Sequence, residues 1–313
     1  MFKTLLRVSS ALALCAAAAL PAHADGRKLT AVGISVGSLG NPYFVTLAKG
    51  ATDAAHALDP SIRVTAVSAD YDLNKQFTQI DNFIASGAQL ILLNAVDPKA
   101  LKPAIARANK AGVIVVAVDV AADGANATIQ TDNVAAGRIS CAYLADAIGH
   151  KGNVIIENGP QVSAVIDRVN GCKEALGKDN AVHILDAAQD GKGSRDGGLA
   201  VMQSLLVRFP EVAGVFTIND PQAIGSDLAM RQAHRTGIKI TSVDGAPDIV
   251  SALKRGGAII ASASQDPYAM GRLGFTTGRD ILDGHPPAQT VTLLPPRLVT
   301  QQNVASYVGW TDH

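Results

Sequence analysis

Short, continuous runs of apolar and often β-branched residues recur along the chain, with stretches of helical periodicity between them. The run 113–118 is Val-Ile-Val-Val-Ala-Val, which has no polar face and therefore predicts a strand buried on both sides. Strands of this kind that alternate with helices indicate parallel sheets covered by helices. We therefore predict a doubly wound α/β fold. The predicted strands are 29–36, 63–68, 89–94, 113–118, 153–156, 182–185, 214–218, 238–243 and 259–263.

The composition excludes several classes of protein. Of the 313 residues, 48% are hydrophobic and 17% are charged, so the chain can bury a large core and is not a disordered protein. Its 27 basic and 27 acidic residues cancel, and a neutral chain lacks the positive field that nucleic acid requires. Three cysteines are too few for a disulfide scaffold. The length indicates about two domains.

Residues 1–24 are predicted to be a secretory signal peptide. Residues 1–7 contain Lys3 and Arg7 and no acidic residue, and residues 8–20 are almost unbroken apolar sequence. That run is too short to span a membrane, and small residues suited to signal peptidase follow it. We expect cleavage after Ala24, which removes two basic residues and leaves a soluble protein of 289 residues with net charge −2.

Cys141 and Cys172 are the cysteines that remain after this cleavage, and both fall in segments with helical periodicity. In an oxidising compartment they could form a disulfide, which would stabilise the fold by about 3–4 kcal/mol. The alternative is two separately buried thiols. The sequence leaves both interpretations open.

An internal repeat supports two similar α/β domains. The segment around Leu92-Leu93-Asn94 resembles the segment around Thr217-Ile218-Asn219, and the residues downstream of each also correspond. Three coincident spacings are hard to attribute to chance. The pairs that lie 125 residues apart are Asn94 and Asn219, Gly112 and Gly237, and Asp119 and Asp244.

Polar residues stand at the predicted carboxyl ends of several strands. In open α/β sheets, ligands bind outside these ends, so two facing domains would frame one polar cleft. A single Asp or Asn in such a place is more simply explained as a turn former or a helix cap. Five of them, some related by the repeat, favour a binding site. They are Asn41, Asp119, Asn219, Asp244 and Gln265.

The motif Asn41-Pro42-Tyr43-Phe44 has both a structural and a functional interpretation. Asn caps helices and Pro suits the first helical turn, so part of the motif is explained by helix initiation. Adjacent residues on a helix point in different directions, so core packing does not explain the aromatic pair well. Aromatic residues make up only 4% of this chain. We therefore favour an aromatic platform that stacks on the C–H face of a sugar, beside Asp and Asn that bind its hydroxyls.

Motifs that could indicate catalysis fail on their context. Ser35 lies in a G-x-S-x-G pattern but inside a predicted strand, whereas a nucleophile needs a sharp strand-to-helix turn. Residues 191–194, Gly-Lys-Gly-Ser, lack the Gly-Lys-Ser/Thr adjacency of a phosphate loop. The seven histidines show no metal-binding spacing. We predict a protein that is not an enzyme and that uses no metal and no cofactor.

Taken together, these residues resemble the periplasmic sugar-binding proteins of ABC transporters, of the ribose-binding type. The resemblance runs from about residue 29 to the C-terminal region. It depends on Asn41-Pro42-Tyr43-Phe44, Val118-Asp119, Asp132-Asn133 with Gly137, Arg168 with Gly171, Val215-Phe216, Asn219-Asp220, Val243-Asp244-Gly245, Pro247-Asp248 and Gln265.

The resemblance implies two Rossmann-like lobes, joined by a three-strand hinge, with a sugar bound between them. The expected crossings lie at 131–132, 265–266 and 294–295. The N-terminal lobe is then 25–131 plus 266–294, and the C-terminal lobe is 132–265 plus 295–313. By the same resemblance Arg168 lies near the ligand, and the implied binding residues are Asn41, Tyr43, Phe44, Asp119, Arg168, Asn219, Asp244 and Gln265.

Three departures from the ribose-binding pattern bear on the ligand. By this resemblance, ribose-binding proteins have arginine at the positions that correspond to Val120 and Ile166. They have a third aromatic residue at the position that corresponds to Gly193. The loss of two bidentate donors and one stacking face argues against ribose itself and against carboxylate or phosphate ligands. Another pentose, a hexose or a sugar alcohol is expected.

The resemblance implies a monomeric periplasmic receptor that delivers a sugar or polyol to an ABC permease in the inner membrane. One alternative is a sensory receptor that presents the same ligand to a chemoreceptor or kinase. The effector domain of a LacI-type repressor shares the fold, but a signal peptide replaces its DNA-binding segment. A secreted hydrolase would require a reactive Ser35. For Trp310, covering the hinge and lying loose both stay open.

Overall fold

The computed structural model describes residues 28–310, which form two six-stranded sheets. The first contains β1 (Ala31–Val36), β2 (Arg63–Ser68), β3 (Leu90–Leu93), β4 (Ile114–Val118), β5 (Ala127–Thr131) and β11 (Val291–Leu294), in the order β11-β5-β4-β3-β1-β2. The second contains β6 (Gly152–Glu157), β7 (Val182–Asp186), β8 (Gly214–Thr217), β9 (Lys239–Asp244), β10 (Ile259–Ser264) and β12 (Arg297–Thr300), in the order β12-β10-β9-β8-β6-β7. All neighbouring strands are parallel except β10 and β12, which are antiparallel.

The predicted α/β class is confirmed, and each of the nine predicted strands coincides with an observed one. Three strands were not predicted: β5, β11 and β12. Each has only four or five residues and contains Thr, Gln or Arg, so none shows the unbroken apolar run that marks a strand buried on both faces. Two of these strands, β11 and β12, lie at sheet edges.

Helices connect the parallel strands, and most begin at a capping side chain. The side chains of Asn41, Asp72, Asp132, Ser194, Asn219 and Asp266 each accept a hydrogen bond from a backbone N–H of the first turn. Such caps satisfy donors that have no partner within the helix. The helices of the described residues are α1 (Pro42–Leu58), α2 (Leu73–Ala85), α3 (Lys102–Lys110), α4 (Asn133–Ala147), α5 (Ser163–Leu176), α6 (Arg195–Arg208), α7 (Asp220–Gln232), α8 (Pro247–Arg255) and α9 (Pro267–Leu282).

Each sheet is covered by helices on both faces, because alternate residues of a strand point in opposite directions. In β3, Leu90 and Leu92 pack with α1 and α9, whereas Ile91 and Leu93 pack with α2 and α3. The second sheet is arranged in the same way, with α4 and α5 on one face and α6, α7 and α8 on the other. The continuous apolar strands are therefore buried as the sequence indicates.

The chain passes between the two sheets three times. After β5 of the first sheet it enters α4, which packs on β9 and β10 of the second. After β10 it enters α9, which packs on β3, β4 and β5 of the first. The last passage joins β11 to β12. We refer to these three passages together as the hinge.

A disulfide joins Cys141 of α4 to Cys172 of α5. The two helices also approach closely at glycines: a Cβ on Gly137 would lie 1.9 Å from the carbonyl oxygen of Arg168, and one on Gly171 would lie 2.0 Å from that of Val134. Side chains other than hydrogen would force the helices apart. The position of α5, which carries Arg168, is therefore tightly constrained by α4.

The predicted signal peptide, residues 1–24, lies outside the described residues. Among residues 28–310, no helix has the length and apolar character needed to cross a membrane.

Candidate binding site

One cleft between the two sheets brings together all eight residues implied by the sequence. The first sheet contributes the beginning of α1 and the residue after β4, and the second contributes α5 and the ends of β8 and β9. The passage between β10 and α9 supplies the last residue. These residues are Asn41, Tyr43, Phe44, Asp119, Arg168, Asn219, Asp244 and Gln265.

Asp119 follows β4 and is held by two donors. The Tyr43 hydroxyl donates to Oδ1 at 2.9 Å, and Asn94 Nδ2 donates to Oδ2 at 2.8 Å. The side chain is 7% exposed, and burial raises the pKa of this carboxyl, whereas the charge of Arg168 and the two hydrogen bonds lower it. Each carboxylate oxygen keeps acceptor capacity for a further donor in the cleft.

Asp244, the last residue of β9, is the counterpart of Asp119 in the second sheet. Gln265 Nε2 donates to its Oδ1 at 2.7 Å, and Arg168 Nη1 lies 3.5 Å from the same oxygen. Burial raises the pKa of Asp244 to about 6, although the Arg168 charge and the Gln265 hydrogen bond oppose this. Asp244 is therefore a buried acceptor whose pKa lies above that of an ordinary aspartate.

Both aspartates have positive φ angles, 68° at Asp119 and 138° at Asp244. Residues other than glycine rarely adopt such angles, and they persist only where the surrounding structure holds them. The two positions correspond in the 125-residue repeat, so a positive φ occurs at corresponding strand ends in both halves, although the two angles differ. In each half it turns a carboxylate into the cleft.

Gln265 connects the two halves of the site. Its Oε1 accepts a hydrogen bond from Thr131 Oγ1 at 2.7 Å and lies 3.4 Å from the Tyr43 hydroxyl, while its Nε2 donates to Asp244. Polar contacts therefore run without a break from Asp119 through Tyr43 and Gln265 to Asp244. Thr131 and Gln265 both stand where the chain passes between the sheets, so this path crosses the hinge.

Arg168 is fixed from several sides although it is only 4% exposed. Its Nε donates to Asn133 Oδ1 and its Nη1 to the carbonyl oxygen of Ile218, both at 2.8 Å. Asp244 and Asp119 supply the compensating negative charge. A buried guanidinium held in this way can donate to a ligand without moving.

The residues at the start of α1 both cap the helix and line the cleft. Asn41 Oδ1 accepts from Tyr43 N at 3.0 Å and caps the helix, while the same side chain lines the cleft. The rings of Tyr43 and Phe44 meet edge to face with centroids 5.3 Å apart, and both residues are buried. They form an apolar wall, although the Tyr43 hydroxyl is already engaged by Asp119.

Both polar atoms of the Asn219 side chain are bonded to protein groups that differ from the partners of Asn94, its counterpart in the repeat. Its Oδ1 accepts from Gln222 N at 3.1 Å to cap α7, and its Nδ2 donates to the Gly193 carbonyl at 2.9 Å. Asn94, by contrast, donates to Asp119. The repeat thus places an asparagine at the corresponding position of each half, but the two asparagines make different contacts.

Two polar cleft residues were missed by the sequence analysis. Asn94 lines the cleft, and its 125-residue relation to Asn219 was a signal that could have identified it. Tyr71 also lines the cleft, from a loop in which its φ is 57°, and no sequence pattern marked it. The aliphatic lining comes from Ala95, Val96, Val120, Pro160, Val162, Ala164, Val165 and Ile218.

Of the three positions that depart from the ribose-binding pattern, two line the cleft and one does not. Val120 and Gly193 line the cleft. Ile166 is 42% exposed and does not line it. Two of the three positions are therefore placed where they could affect the ligand.

Ser35 has a structural role. It is fully buried in β1, where its hydroxyl donates to Gln79 Oε1 at 2.7 Å and accepts from Gln76 Nε2 at 3.0 Å. An inaccessible hydroxyl with amide partners is not an activated nucleophile. Within residues 28–310, no group of three or more His, Cys, Asp or Glu side chains is placed to hold a metal ion.

Comparison with known proteins identifies the family. The model of the periplasmic binding protein domain matches residues 32–286. The ribose import binding protein of Bacillus subtilis is 30% identical over 287 residues, which cover 91% of this chain and 92% of that protein. The xylitol-binding protein of Mycolicibacterium smegmatis is 30% identical over 253 residues, covering 80% of this chain and 70% of that protein.

A solved structure agrees with this relationship. An ABC transporter solute binding protein from Mycobacterium smegmatis with bound glycerol has a TM-score of 0.84 and 28% sequence identity, and the match covers 90% of this chain and 98% of that one. The chain belongs to the periplasmic binding protein family.

Proposed function

We propose that this protein is the solute receptor of an ABC importer and binds a neutral monosaccharide or sugar alcohol between its two lobes. The observation that carries the proposal is the pair Asp119 and Asp244, two buried carboxylates that face one cleft from opposite sheets. Each is held by protein donors and can still accept hydrogen bonds from hydroxyl groups.

The remaining groups in the cleft suit a polyhydroxylated ligand. Asn41 and Arg168 are donors, and the aromatic and aliphatic walls suit the C–H faces of a sugar or polyol. The positive charge of Arg168 is offset by the two aspartates. A carboxylate or phosphate ligand would be repelled by these acids, so an uncharged ligand is favoured.

Named relatives support this class of ligand. Proteins similar to this chain include a ribose import binding protein, a xylitol-binding protein and a solute binding protein with bound glycerol. Val120 and Gly193 at the cleft supply neither the arginine donor nor the aromatic face of the ribose pattern. We therefore propose a pentose other than ribose, a hexose or a sugar alcohol.

Binding would be coupled to closure of two lobes. We propose lobes of 25–131 plus 266–294 and of 132–265 plus 295–313, a division that the sheet membership of the strands supports. A ligand that contacts both aspartates bonds to both lobes and so favours the closed state. That state would dock on the permease through surfaces of both lobes.

The cellular setting follows from the same family. We propose that residues 1–24 direct the chain to the periplasm and are cleaved after Ala24. The mature protein would act there as a monomer, without nucleic acid or cofactor, and would transfer its solute to a permease in the inner membrane. It would bind its solute without chemically altering it.

A thermal-shift screen on the mature protein tests the proposal. The probes are D-ribose, D-xylose, D-allose, xylitol, myo-inositol and glycerol, with L-glutamate, L-arginine and a dipeptide as controls. A ligand that binds the folded state raises the melting temperature by mass action. We expect a shift with at least one neutral sugar or polyol other than D-ribose. Shifts restricted to amino acids or peptides would contradict the proposed ligand class.

A further inference from the structure

We propose that Trp310 is a positioning residue of the solute site, which holds the backbone of Asp244 and Gln265 and packs against Tyr43 from the hinge side. The inference rests on the proposed function, because it concerns the residues assigned to the ligand. The sequence left the location of this single tryptophan open. The structure buries its side chain, which is only 4% exposed.

The indole N–H of Trp310 bonds to two residues of the cleft at once. Nε1 lies 3.1 Å from the carbonyl oxygen of Asp244 and 3.1 Å from that of Gln265. Asp244 ends β9, and Gln265 directly follows the adjacent strand β10. The shared donor adds to the backbone hydrogen bond in which Gln265 N donates to the Asp244 carbonyl oxygen at 2.9 Å. The two side chains are joined in turn by the Gln265 Nε2 to Asp244 Oδ1 bond of 2.7 Å.

The indole ring also reaches the other half of the site. It packs edge to face on Tyr43, with ring centroids 5.4 Å apart. Tyr43 belongs to α1, whereas the chain reaches Trp310 from β12 of the second sheet. Trp310 therefore contacts cleft residues from both sheets and is part of the apolar cluster that covers the first sheet.

The backbone that Trp310 holds is in an unfavourable conformation. Asp244 has φ 138° and Gly245 has φ 73°. A second residue of the same C-terminal segment supports this turn, because the Tyr307 hydroxyl donates to the Gly245 carbonyl at 3.1 Å. A non-glycine residue with such an angle needs external support, and Trp310 and Tyr307 supply part of it. The direction of the Asp244 carboxylate thus depends on the C-terminal segment.

The variant Trp310→Phe separates the hydrogen bonds from the packing, since it keeps an aromatic ring and removes the donor. We expect Asp244 to relax away from Arg168, whose charge lowers the pKa of Asp244. The other titratable groups that face this carboxyl are Asp119, Asp220, Tyr43, Tyr71 and Tyr307. Trp310→Phe removes no charged group, so the change in the midpoint is expected through the position of Asp244.

The first measurement needs no ligand. Carboxyl ¹³C NMR on the mature protein would follow the titration of Asp244 in the wild type, Trp310→Phe and Tyr307→Phe. We expect the midpoint to rise by at least about half a pH unit in Trp310→Phe, a change of about 0.7 kcal/mol in the interaction, and by less in Tyr307→Phe. The control is Tyr143→Phe, which removes a hydroxyl bond to Gln302 at the surface and should leave the midpoint unchanged.

The second measurement is calorimetric titration of the same proteins with D-xylose, D-allose, xylitol, myo-inositol and glycerol. For any compound that binds the wild type, Trp310→Phe should raise Kd about tenfold, the effect of losing about 1.4 kcal/mol, while Tyr143→Phe should not. An unchanged Asp244 midpoint in folded Trp310→Phe would overturn the proposal. Should none of these compounds bind the wild type, the proposed ligand class fails, while the NMR titration still decides the role of Trp310.

Discussion

The side-chain amide of Gln265 donates a 2.7 Å hydrogen bond to Oδ1 of Asp244. Gln265 stands where the chain passes between the sheets, and Asp244 is a buried acid of the cleft. The hinge and the site therefore share a hydrogen bond, so a ligand that bonds to Asp244 also restrains the hinge. Under the proposed function, this hydrogen bond would couple solute binding to closure without a separate signalling element.

The first prediction concerns Asp119. Replacing it with Asn removes a charged acceptor and leaves either the Tyr43 hydroxyl or Asn94 Nδ2 facing an amide donor. Hydrogen bonds to charged groups contribute about 1.5–3 kcal/mol, so we expect Asp119→Asn to raise Kd for the bound sugar or polyol about 10- to 150-fold. Calorimetry measures this directly.

The matched control for Asp119→Asn is Asp123→Asn, because Asp123 is an exposed acid on the same β4–β5 connection. It should bind with the affinity of the wild type. Equal affinity in both variants would mean that Asp119 does not contact the solute.

The second prediction is a loss of affinity at acidic pH. Burial raises the pKa of Asp244 to about 6, and a protonated carboxyl loses acceptor capacity for ligand hydroxyls. We expect Kd to rise as the pH falls below about 6. In Asp244→Asn this part of the pH dependence should be absent, so identical pH profiles for the two proteins would contradict the assignment.

The same titration affects stability, with the opposite sign. In the folded protein Asp244 binds its proton more tightly than in the unfolded chain, where the pKa is 3.8. The stabilisation of the folded state by this proton is therefore fully present below pH 3.8 and is lost as the pH rises through about 6. Asp119 and Asp220 shift in the same direction. The contribution of Asp244 to this pH dependence is measured as the difference in melting temperature between the wild type and Asp244→Asn, without ligand, from below pH 3.8 to above pH 6.

The third prediction concerns the disulfide between Cys141 and Cys172, which are 31 residues apart in sequence. A loop of this length contributes about 3–4 kcal/mol by restricting the unfolded chain. Reduction of the wild type should lower the free energy of unfolding by this amount in urea titrations. A Cys141→Ala, Cys172→Ala variant serves as control, because its stability should not respond to the reductant.

Much of the fold could be predicted because it depends on local signals. Unbroken apolar runs such as 113–118 identify strands buried on both faces, and the repeat identified two similar halves. The edge strands β11 and β12 were missed because each has only four residues and includes Thr or Arg, so neither shows an unbroken apolar run. Their pairing is determined by the path of the chain through the hinge rather than by their own composition.

The candidate site was predictable where residues end a strand, as Asp119 and Asp244 do. The contacts of each side chain were not predictable, because they depend on packing between distant segments. The Asn219 side chain donates to the carbonyl of Gly193, 26 residues away in sequence, and Tyr71 enters the cleft from a loop with positive φ. Neither property has a signal in the residues nearby.

The fourth prediction tests how α4 positions Arg168. A methyl group on Gly137 would lie 1.9 Å from the Arg168 carbonyl oxygen, so Gly137→Ala must separate α4 from α5. We expect the free energy of unfolding to fall by about 1–3 kcal/mol. We also expect weaker solute binding, because Arg168 moves with α5. Ala142→Ser, at an exposed position of the same helix, should change neither quantity appreciably. Wild-type stability in Gly137→Ala would show that the helices are not in this close contact.

The central claim is that the solute binds between Asp119 and Asp244. Its most direct test is calorimetric titration of the wild type and of the Asp119→Asn, Asp244→Asn double variant, with the neutral sugar or polyol that gives the largest thermal shift. We predict one bound molecule per wild-type chain and no measurable binding to a double variant that remains folded by circular dichroism. Binding of that compound with equal affinity to both proteins would contradict the account, because the solute would then lie outside this cleft.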